Sequence, residues 1–337
     1  MPDRTEYTTA STNGTLRSKG PTGMSERFAF DPESRSQESR ATGLEGNPAA
    51  KTSHRENLLI ERMASLGSCV VAFSGGADSA LALAAAVRGL GRGNVIAATA
   101  VSPSLADAEL RVAQKFAATL GVKHLTPSTH EMEREGYRAN SGSRCYFCKS
   151  ELLDTLLELA HEKQLAHVVT GTNADDAADP FRPGIRAADE RGVVAPLRDL
   201  GFTKDEVRAI SRAWGLATWD KPAMPCLASR LAYGVEVTKE RLARVERAEV
   251  SAREALAEAN TAVTDLRVRD LGDRVRIEVD QQKVDEVTAI AAVRSAVRAA
   301  GFGDAAVEIG AFRSGSMNDA LTVLGKPEDL LRRIRTT

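Results

Sequence analysis

The stretch CVVAFSGGADSALALAAAVR, residues 69–88, decides the fold. It joins an apolar strand at Cys69–Phe73 to an alanine- and leucine-rich helix at Ala80–Arg88 through a turn that contains two glycines. Glycines let the main chain approach an anion closely, and the start of the following helix offers free N–H groups and the positive end of the helix dipole. The turn SGGADS, residues 74–79, is therefore predicted to bind phosphate.

Five residues of this turn are the predicted phosphate-site residues: Ser74, Gly75, Gly76, Asp78 and Ser79. The two serine hydroxyls add donors to those of the main chain. A Walker A loop ends in Gly-Lys-Ser or Gly-Lys-Thr, and that ending is absent from this turn. The alternative is an ordinary strand–turn–helix connection with two glycines.

Strands and helices alternate along the first part of the chain. Apolar patterning predicts strands at 95–101, 124–125 and 167–170, and helices at 56–66, 105–120 and 149–163. This alternation is typical of an α/β fold with a doubly wound parallel sheet, in which ligands bind beyond the carboxyl ends of the strands.

The pattern changes near residue 232. A helix at 239–259, strands at 266–270, 274–280 and 305–311, and a helix at 282–300 predict a smaller α+β domain. Residues 1–52 are polar and lack apolar periodicity, so they are predicted to form a disordered tail. The predicted organisation is a tail (1–52), an α/β domain (53–232) and a C-terminal α+β domain (233–337).

Composition narrows the compartment and the partners. The net charge of −1 offers no basic field for nucleic acid. No run of about 18 apolar residues and no apolar signal core is present, so we expect a cytoplasmic protein that does not bind membranes. The four cysteines are Cys69, Cys145, Cys148 and Cys226. In the cytoplasm, such a set indicates metal binding or sulfur chemistry before structural disulfides.

A second polar motif, GTNADD at residues 171–176, follows the predicted strand at 167–170. Gly171, Thr172 and Asn173 are predicted to lie at the nucleotide site, because they follow the carboxyl end of a parallel strand. The carboxylates of Asp175 and Asp176 are candidate ligands for the Mg²⁺ that bridges nucleotide phosphates. An ordinary Asn/Asp turn is the alternative.

Further motifs turn these features into a family resemblance. The turn SGGADS resembles the pyrophosphate loop of the PP-loop ATP pyrophosphatases, which share an adenine nucleotide alpha hydrolase-like fold. Five more motifs follow in order: FRPG (181–184), APL (195–197), WDKP (219–222), PCLASR (225–230) and RSGSMN (313–318). Together with the turn, this ordered set resembles the LarE family from about residue 55 to 325.

The resemblance implies an ATP-dependent sulfur transferase that forms AMP and pyrophosphate. Its expected substrate is a small mononucleotide, pyridinium-3,5-biscarboxylic acid mononucleotide, in the biosynthesis of the nickel-pincer cofactor of lactate racemase. A carboxylate is adenylated with Mg²⁺ present and sulfur then displaces AMP to give a thiocarboxylate. The resemblance also implies a homo-oligomer and transient contact with other proteins of nickel-pincer biosynthesis.

The likeness places Cys226 on the family's sulfur-supplying cysteine. In one form of the family that cysteine gives up its own sulfur and becomes dehydroalanine. Arg230, four residues on, is expected to favour the thiolate if both residues lie on one helical turn. A buried structural cysteine is the alternative.

Two further thiols, Cys145 and Cys148, lie three residues apart before the predicted helix at 149–163. Flanking cations and a helix N-terminus lower thiol pKa values and favour metal binding. Three-cysteine proteins of the LarE type imply a [4Fe–4S] cluster held by Cys145, Cys148 and Cys226, with one iron open to carry sulfide. Zinc, a redox disulfide, and a sacrificial Cys226 beside an incidental pair remain open. Cys69 is predicted to lie in the core.

Arginines alternate with apolar residues along the paired strands at 266–270 and 274–280, which places Arg267, Arg269, Arg274 and Arg276 on one sheet face. By resemblance, Arg267 and Arg269 bind the substrate phosphate; a solvated face is the alternative. Glu278, and less directly Glu249, match family carboxylates that bind metal between subunits.

Three rival functions remain. A tRNA-thiolating PP-loop enzyme needs an RNA-binding surface, which the charge balance does not indicate. An ammonia-dependent amidotransferase of the NAD or GMP synthetase type has no use for three cysteines. The third rival is an adenine-nucleotide sensor without catalysis.

Overall fold

The computed structural model describes residues 48–179, 182–313 and 315–318. Most of the predicted tail, residues 1–47, lies outside the described residues, as do Phe181 and Ser314 of the quoted motifs. The first helix, α1 (Pro48–Ala64), begins inside the last five residues assigned to the tail. No helix in the described ranges is long and apolar enough to cross a membrane.

A parallel sheet forms the first layer of the fold, as predicted. Its described strands are β1 (Cys69–Ala72), β2 (Val95–Ala98), β3 (Lys123–Leu125) and β4 (His167–Thr170), in the order β3-β2-β1-β4. All three pairings are parallel. The chain adds β2 and β3 on one side of β1 and later adds β4 on its other side, so the strand order changes direction at β1. Open α/β sheets bind their ligands at such a switch point.

Helices cover this sheet on both faces. Besides α1, this part of the chain has the longer helices α2 (Ala77–Leu90), α3 (Asp107–Leu120), α5 (Arg144–Glu162) and α9 (Lys204–Ala213) and the shorter helices α4 (Glu135–Arg138), α6 (Ala174–Ala178), α7 (Pro183–Asp189) and α8 (Pro196–Asp199). Of these, α2, α3, α5, α7, α8 and α9 contribute buried side chains to the cores on the two faces. Helix α2 is buried along most of its length, and Leu81 and Leu83 are inaccessible to solvent. This burial rigidly fixes the turn that precedes α2.

A second sheet follows the long helix α10 (Lys239–Glu258). Strands β5 (Leu266–Asp270) and β6 (Arg274–Val279) are antiparallel, and β7 (Ala306–Ala311) runs parallel to β6. These strands and α10 match the predicted α+β pattern within one or two residues.

The predicted single helix at 282–300 is wrong. The structure has α11 (Val284–Ala289) and α12 (Ala291–Val297), separated by Ile290 in an extended conformation. Val287 and Val293 are both buried in the same apolar core. Six residues apart, they would point to different sides of one straight helix, so the break lets both reach the core.

Residues from both sides of the predicted domain boundary at 232 pack into the same apolar core. The core beneath the second sheet includes Tyr137, Leu227, Ala228 and Leu231, which precede that boundary. The N–H of Ala232 also donates to Asp270 O at 2.9 Å. The described residues belong to one compact unit.

Candidate functional site

The turn after β1 has the geometry of an anion site. Gly76 is the residue before α2, and Gly75 adopts a left-handed φ of 73°. The Ser79 hydroxyl donates to Gly76 O at 3.1 Å and lies 3.1 Å from the Ser74 hydroxyl. Within the described residues, the N–H groups of 76–79 have no hydrogen-bond partner. Free N–H groups at a helix N-terminus bind phosphate.

The loop after β4 lies directly against this turn. A Cβ on Gly171 would come within 2.6 Å of Ser79 N, so only glycine fits between β4 and α2. Asn173 is buried, and its Nδ2 donates to Asp78 Oδ1 at 2.9 Å. The Thr172 hydroxyl lies 3.3 Å from the hydroxyl of Thr170. The structure thus brings the predicted loop residues of both strands together.

The two predicted Mg²⁺ ligands have other partners. Asp175 Oδ2 accepts the N–H of Lys204 at 2.7 Å, which caps α9. Asp176 accepts the N–H of Asn173 in a capping box and pairs with Arg182 at 2.9 Å. Both carboxylates therefore hold local structure in this conformation. Asp78 is the carboxylate within the turn itself.

Two lysines at this turn were missed as site residues. Lys204 forms an ion pair with Asp78. Lys221 Nζ donates to Gly75 O at 3.1 Å and to Glu109 Oε2 at 2.7 Å. Lys221 belongs to the WDKP motif, so the signal was present in the sequence, but its partner lies 146 residues away.

The segment that carries Cys226 crosses from the first layer to the second. Residues 222–226 are exposed, and Leu227 and Ala228 are buried. Leu227 N donates to Ser104 O at 2.9 Å, and Arg144 Nη1 donates to Ala228 O at 2.7 Å. These bonds attach the cysteine segment to the carboxyl end of the parallel sheet.

Arg230 fixes the main chain around Cys226. Its guanidinium is 2% exposed, donates to Pro225 O and also to Cys226 O at 3.3 Å, and pairs with Glu249 at 2.9 Å. Arg230 follows Cys226 in the short helical turn Leu227–Arg230. The predicted support of the thiolate by Arg230 stays a prediction, and the observed contacts make Arg230 an anchor of the main chain.

The other two predicted sulfur ligands lie in the first turns of α5, which begins five residues before the predicted start. Burial among protein atoms raises the pKa values of Cys145 and Cys148, although as whole residues Cys145 is exposed and Cys148 is half-buried. A negative charge on Cys226 raises both pKa values further. The three thiols therefore share one electrostatic neighbourhood. Arg144 opposes this effect at Cys145.

The thiol arrangement bears on which metal it suits. Thiolates that share a single zinc ion lie about 4 Å apart, because each Zn–S bond is about 2.3 Å. In the described part of the chain, no three or more His, Cys, Asp and Glu side chains are grouped so that they could hold a metal ion, and this includes the three thiols. All-thiolate ligands are the type that an iron–sulfur cluster takes, so the chemistry of the three donors is compatible with a cluster, and the predicted [4Fe–4S] site stays a prediction. Cys69 is buried in the core, as predicted, and burial raises its pKa to about 12.

The four predicted arginines lie on one face of the second sheet, but two of them are buried and two are half exposed. Arg267 lies opposite Glu278 and Arg269 lies opposite Arg276, so they share a face. The segment at 223–229 covers the part of this face that β5 contributes, and both arginines of β5 are buried. Arg274 and Arg276 are half exposed beside Glu308.

The two buried arginines differ in their partners. Arg269 pairs with Glu278 at 2.8 Å and donates to Ser229 O. Arg267 is 3% exposed and forms no ion pair with a described carboxylate. Burial and the nearby charge of Arg230 lower its pKa. Glu249 and Glu278, the predicted metal carboxylates, are both engaged by arginines.

A buried polar chain beside the thiols was not found from the sequence. Ser104 Oγ donates to Glu131 Oε1 at 3.1 Å and lies 2.5 Å from Tyr137 Oη. Nearby, the Asn140 side chain donates to Ala232 O at 2.8 Å and accepts from Arg144 at 2.6 Å. Asn140 has a left-handed φ of 50°. These residues support the segment around Cys226 through contacts distant in sequence.

Comparisons with known proteins show which proteins the chain is similar to. An uncharacterised protein of Synechocystis is 42% identical over 260 residues, 76% of this chain and 94% of the relative. Pyridinium-3,5-bisthiocarboxylic acid mononucleotide synthase of Lactiplantibacillus plantarum is 32% identical over 265 residues, 78% of this chain and 94% of that enzyme. An uncharacterised protein of Methanocaldococcus jannaschii is 29% identical over 141 residues, 42% of this chain and 52% of the relative.

No protein-family model matches the chain. The synthase is nevertheless matched over nearly its whole length, and this match confirms the resemblance that the ordered motifs carried. The chain therefore belongs to the LarE family and is an ATP-dependent sulfur transferase.

Proposed function

We propose that this enzyme adenylates a carboxyl group of pyridinium-3,5-biscarboxylic acid mononucleotide and converts it into a thiocarboxylate during nickel-pincer cofactor assembly. The name of the Lactiplantibacillus plantarum relative describes the corresponding bisthiocarboxylic acid product. The proposal rests on one structural observation, the path of residues 221–226.

This short segment passes three functional regions in turn. Lys221 contacts the nucleotide turn at Gly75 O. Ala223 O and Met224 Sδ lie 3.5 and 3.4 Å from Arg267 Nη2. Cys226 follows, five residues after Lys221, a span of at most about 17 Å for an extended chain. A nucleotide at the turn, a phosphate at Arg267 and the sulfur of Cys226 would therefore lie around one cleft.

The free N–H groups at 76–79 suit the pyrophosphate part of ATP. A substrate carboxylate oxygen attacks the α-phosphorus, the bond to the β-phosphate oxygen breaks, and pyrophosphate leaves. Helix α2 stabilises the charge that develops on the departing phosphate oxygens. Mg²⁺ would bind at the same place: Asp78 lies in the turn, and Asp78, Asp175 and Asp176 would all have to exchange their present partners to bind it.

Arg267 is the best-placed residue for the substrate phosphate. It is a buried cation without a carboxylate partner among the described residues, and a phosphate would satisfy both its charge and its planar donors. Arg269 is engaged by Glu278 and supports the same face from the neighbouring position. Glu278 itself, proposed as a metal ligand between subunits of a homo-oligomer, would have to release Arg269.

The second half-reaction forms the carbon–sulfur bond. A sulfur nucleophile attacks the acyl carbon of the adenylate, and AMP leaves with the bonding electron pair. When Cys226 Sγ is the nucleophile, its Cβ–Sγ bond must then break with loss of the Cα proton, which leaves dehydroalanine. The exposed position of Cys226 suits either direct attack or ligation of a group that carries sulfur.

Cys145, Cys148 and Cys226 would hold a [4Fe–4S] cluster through three thiolates. When bound, such a cluster supplies an open iron that carries a sulfide for transfer. Arg144 supplies a positive charge next to Cys145, and Cys148 packs against the core under the second sheet. These contacts hold the cysteine pair facing the Cys226 segment.

The test is pyrophosphate release by the purified full chain with ATP and Mg²⁺. We expect release to depend on the dicarboxylate mononucleotide and to be accompanied by thiocarboxylate. Stimulation by tRNA alone would favour the thiolating rival, and release dependent on ammonia would favour the amidotransferase. ATP binding without turnover under all three conditions would favour the adenine-nucleotide sensor.

Anaerobic purification followed by iron, sulfide and zinc analysis tests the cluster separately. Iron and labile sulfide bound through the three cysteines support it. Zinc without labile sulfide contradicts it. A mass loss of about 34 Da from the protein after reaction, the mass of H₂S, would instead show that Cys226 is consumed.

A further inference from the structure

The exposed residues 222–226, here called the strap, are held at their two ends. None of the strap N–H groups has a described hydrogen-bond partner. Two of its five residues, Pro222 and Pro225, have fixed φ angles and no N–H group. A short connection of this kind transmits a displacement of one end to the other, because it has few torsions that absorb it.

The far end of the strap is fixed firmly. Arg230 donates to the carbonyl oxygens of Pro225 and Cys226, and Leu227 N donates to Ser104 O. Leu227 is buried. The position of the Cys226 sulfur relative to the second layer is therefore set by these contacts.

The near end depends on Lys221. Its Nζ is half-buried and joins Gly75 O to Glu109 Oε2, at 3.1 and 2.7 Å. The left-handed φ of Gly75 shapes the nucleotide turn, and the same backbone conformation sets the direction of the Gly75 carbonyl. An ammonium group has three donors, and two are used here. A polyphosphate on the turn would add a strong attraction to the same cation.

We propose that Lys221 is a positioning residue that couples the nucleotide turn to the sulfur-bearing strap. It holds the strap against Gly75, so that a nucleotide bound at the turn fixes the distance between the activated acyl group and Cys226. Lys221 acts through the strap in the sulfur-transfer half-reaction. This role rests on the proposed function, and its first test needs only a nucleotide.

The first test follows alkylation of Cys226 in the full chain by peptide mass spectrometry, with and without a non-hydrolysable ATP analogue and Mg²⁺. At analogue concentrations that saturate each variant, we expect the nucleotide to change the alkylation rate in the wild type and in K221R, but not in K221M. The matched control is K283M, which removes another lysine–glutamate ion pair, Lys283–Glu286 at 2.7 Å, from a helical turn far along the chain.

Three outcomes overturn the coupling: a wild type that does not respond, a K221M variant that responds as the wild type does, or a K221M variant that no longer binds the analogue. The last result would make Lys221 a nucleotide ligand. None of these outcomes depends on the identity of the carboxylate substrate, so failure here is distinct from failure of the proposed function.

The second test compares products once the reaction is reconstituted. Misplacement of a reacting group by about 1 Å costs about a hundredfold in rate, so K221M is expected to release pyrophosphate but to form at least about tenfold less thiocarboxylate per pyrophosphate. K221R should restore most of this ratio, and K283M should leave it unchanged. E109Q keeps the bond between Lys221 and Gly75 O, so uncoupling by E109Q as severe as that by K221M would contradict the proposal.

Discussion

The nucleotide turn and the Cys226 segment are joined through Lys221 but are built in opposite ways. The turn is held by local bonds: the Ser74 and Ser79 hydroxyls meet across five residues. The Cys226 segment depends on distant partners, because Arg144 reaches Ala228 across 84 residues and Lys221 reaches Gly75 across 146. The turn therefore takes its shape mainly from bonds within residues 74–79, although Asn173 and Lys204 also contact its Asp78, whereas the segment around Cys226 is held by residues distant in sequence.

The strongest way to separate the two regions is to remove the sulfur of Cys226. In C226S the nucleotide turn is unchanged, so pyrophosphate release should persist. Thiocarboxylate formation should fall by at least about a thousandfold, because a hydroxyl does not replace the nucleophilic sulfur. Both products are measured in one reaction by chromatography. Loss of both together would show that the two regions are not separable, and C69V serves as the matched cysteine control.

The variant G171A tests the nucleotide turn, because it adds a methyl group where the loop after β4 contacts that turn. The added Cβ of G171A meets the main chain of α2 at 2.6–2.8 Å, so backbone must move, at a cost of about 1–3 kcal/mol in unfolding free energy. We expect ATP affinity to weaken by about tenfold or more, since about 1.4 kcal/mol corresponds to that factor. Titration calorimetry and urea unfolding measure the two effects.

The control for this change is G93A, whose Cβ meets nothing within 4 Å. If G171A binds ATP as the wild type does, the contact between the β4 loop and the turn does not shape the nucleotide site.

Arg267, which contacts Ala223 and Met224 of the strap, provides a test of the second layer. R267M removes a buried cation that is proposed to bind the substrate phosphate, so KM for the mononucleotide should rise by about tenfold or more. The ATP affinity of the turn should not change. R276M is the matched control, because Arg276 lies on the same face but pairs with the exposed Glu308 at 3.1 Å. Equal effects of both variants would contradict a specific phosphate site.

Another prediction concerns the thiol of Cys69 in β1, the strand that leads into the nucleotide turn. Burial raises the pKa of Cys69 to about 12, so its thiol stays neutral in the folded protein at pH values where the unfolded thiol ionises. Its contribution to stability is complete below about pH 9 and is lost as the pH rises from there toward 12.

At pH 10.5 the wild type should therefore lose about 2 kcal/mol more unfolding free energy, relative to pH 7, than C69V loses. Urea unfolding of both proteins at the two pH values measures this difference. Identical pH dependence would show that Cys69 ionises freely in the folded state.

The contrast between the regions also explains what sequence could predict. The turn, the parallel sheet and the β5–β6 pair follow from patterns within about 20 residues, and the structure confirms them. Asp175 and Asp176 stay predicted metal ligands, but the sequence did not show that Lys204 N and Arg182 are their partners in this structure. The break at Ile290 reflects a core shared with distant helices.

The anchors of the Cys226 segment were beyond sequence reasoning for the same reason. Ser104, Tyr137 and Glu131 have no motif of their own, and their role depends on a buried hydrogen-bond chain between separate elements. Arg267 and Arg276 looked equivalent in the alternating pattern. Only the covering segment at 223–229 makes one buried and leaves the other exposed.

A single-turnover reaction tests most directly whether the two regions work as one site. Purified full chain is mixed with ATP, Mg²⁺ and the dicarboxylate mononucleotide, and AMP, pyrophosphate and thiocarboxylate are quantified over time. The account predicts that thiocarboxylate appears together with AMP and disappears when Cys226 is replaced. AMP and pyrophosphate formed without any thiocarboxylate, from protein that retains its sulfur, would contradict it.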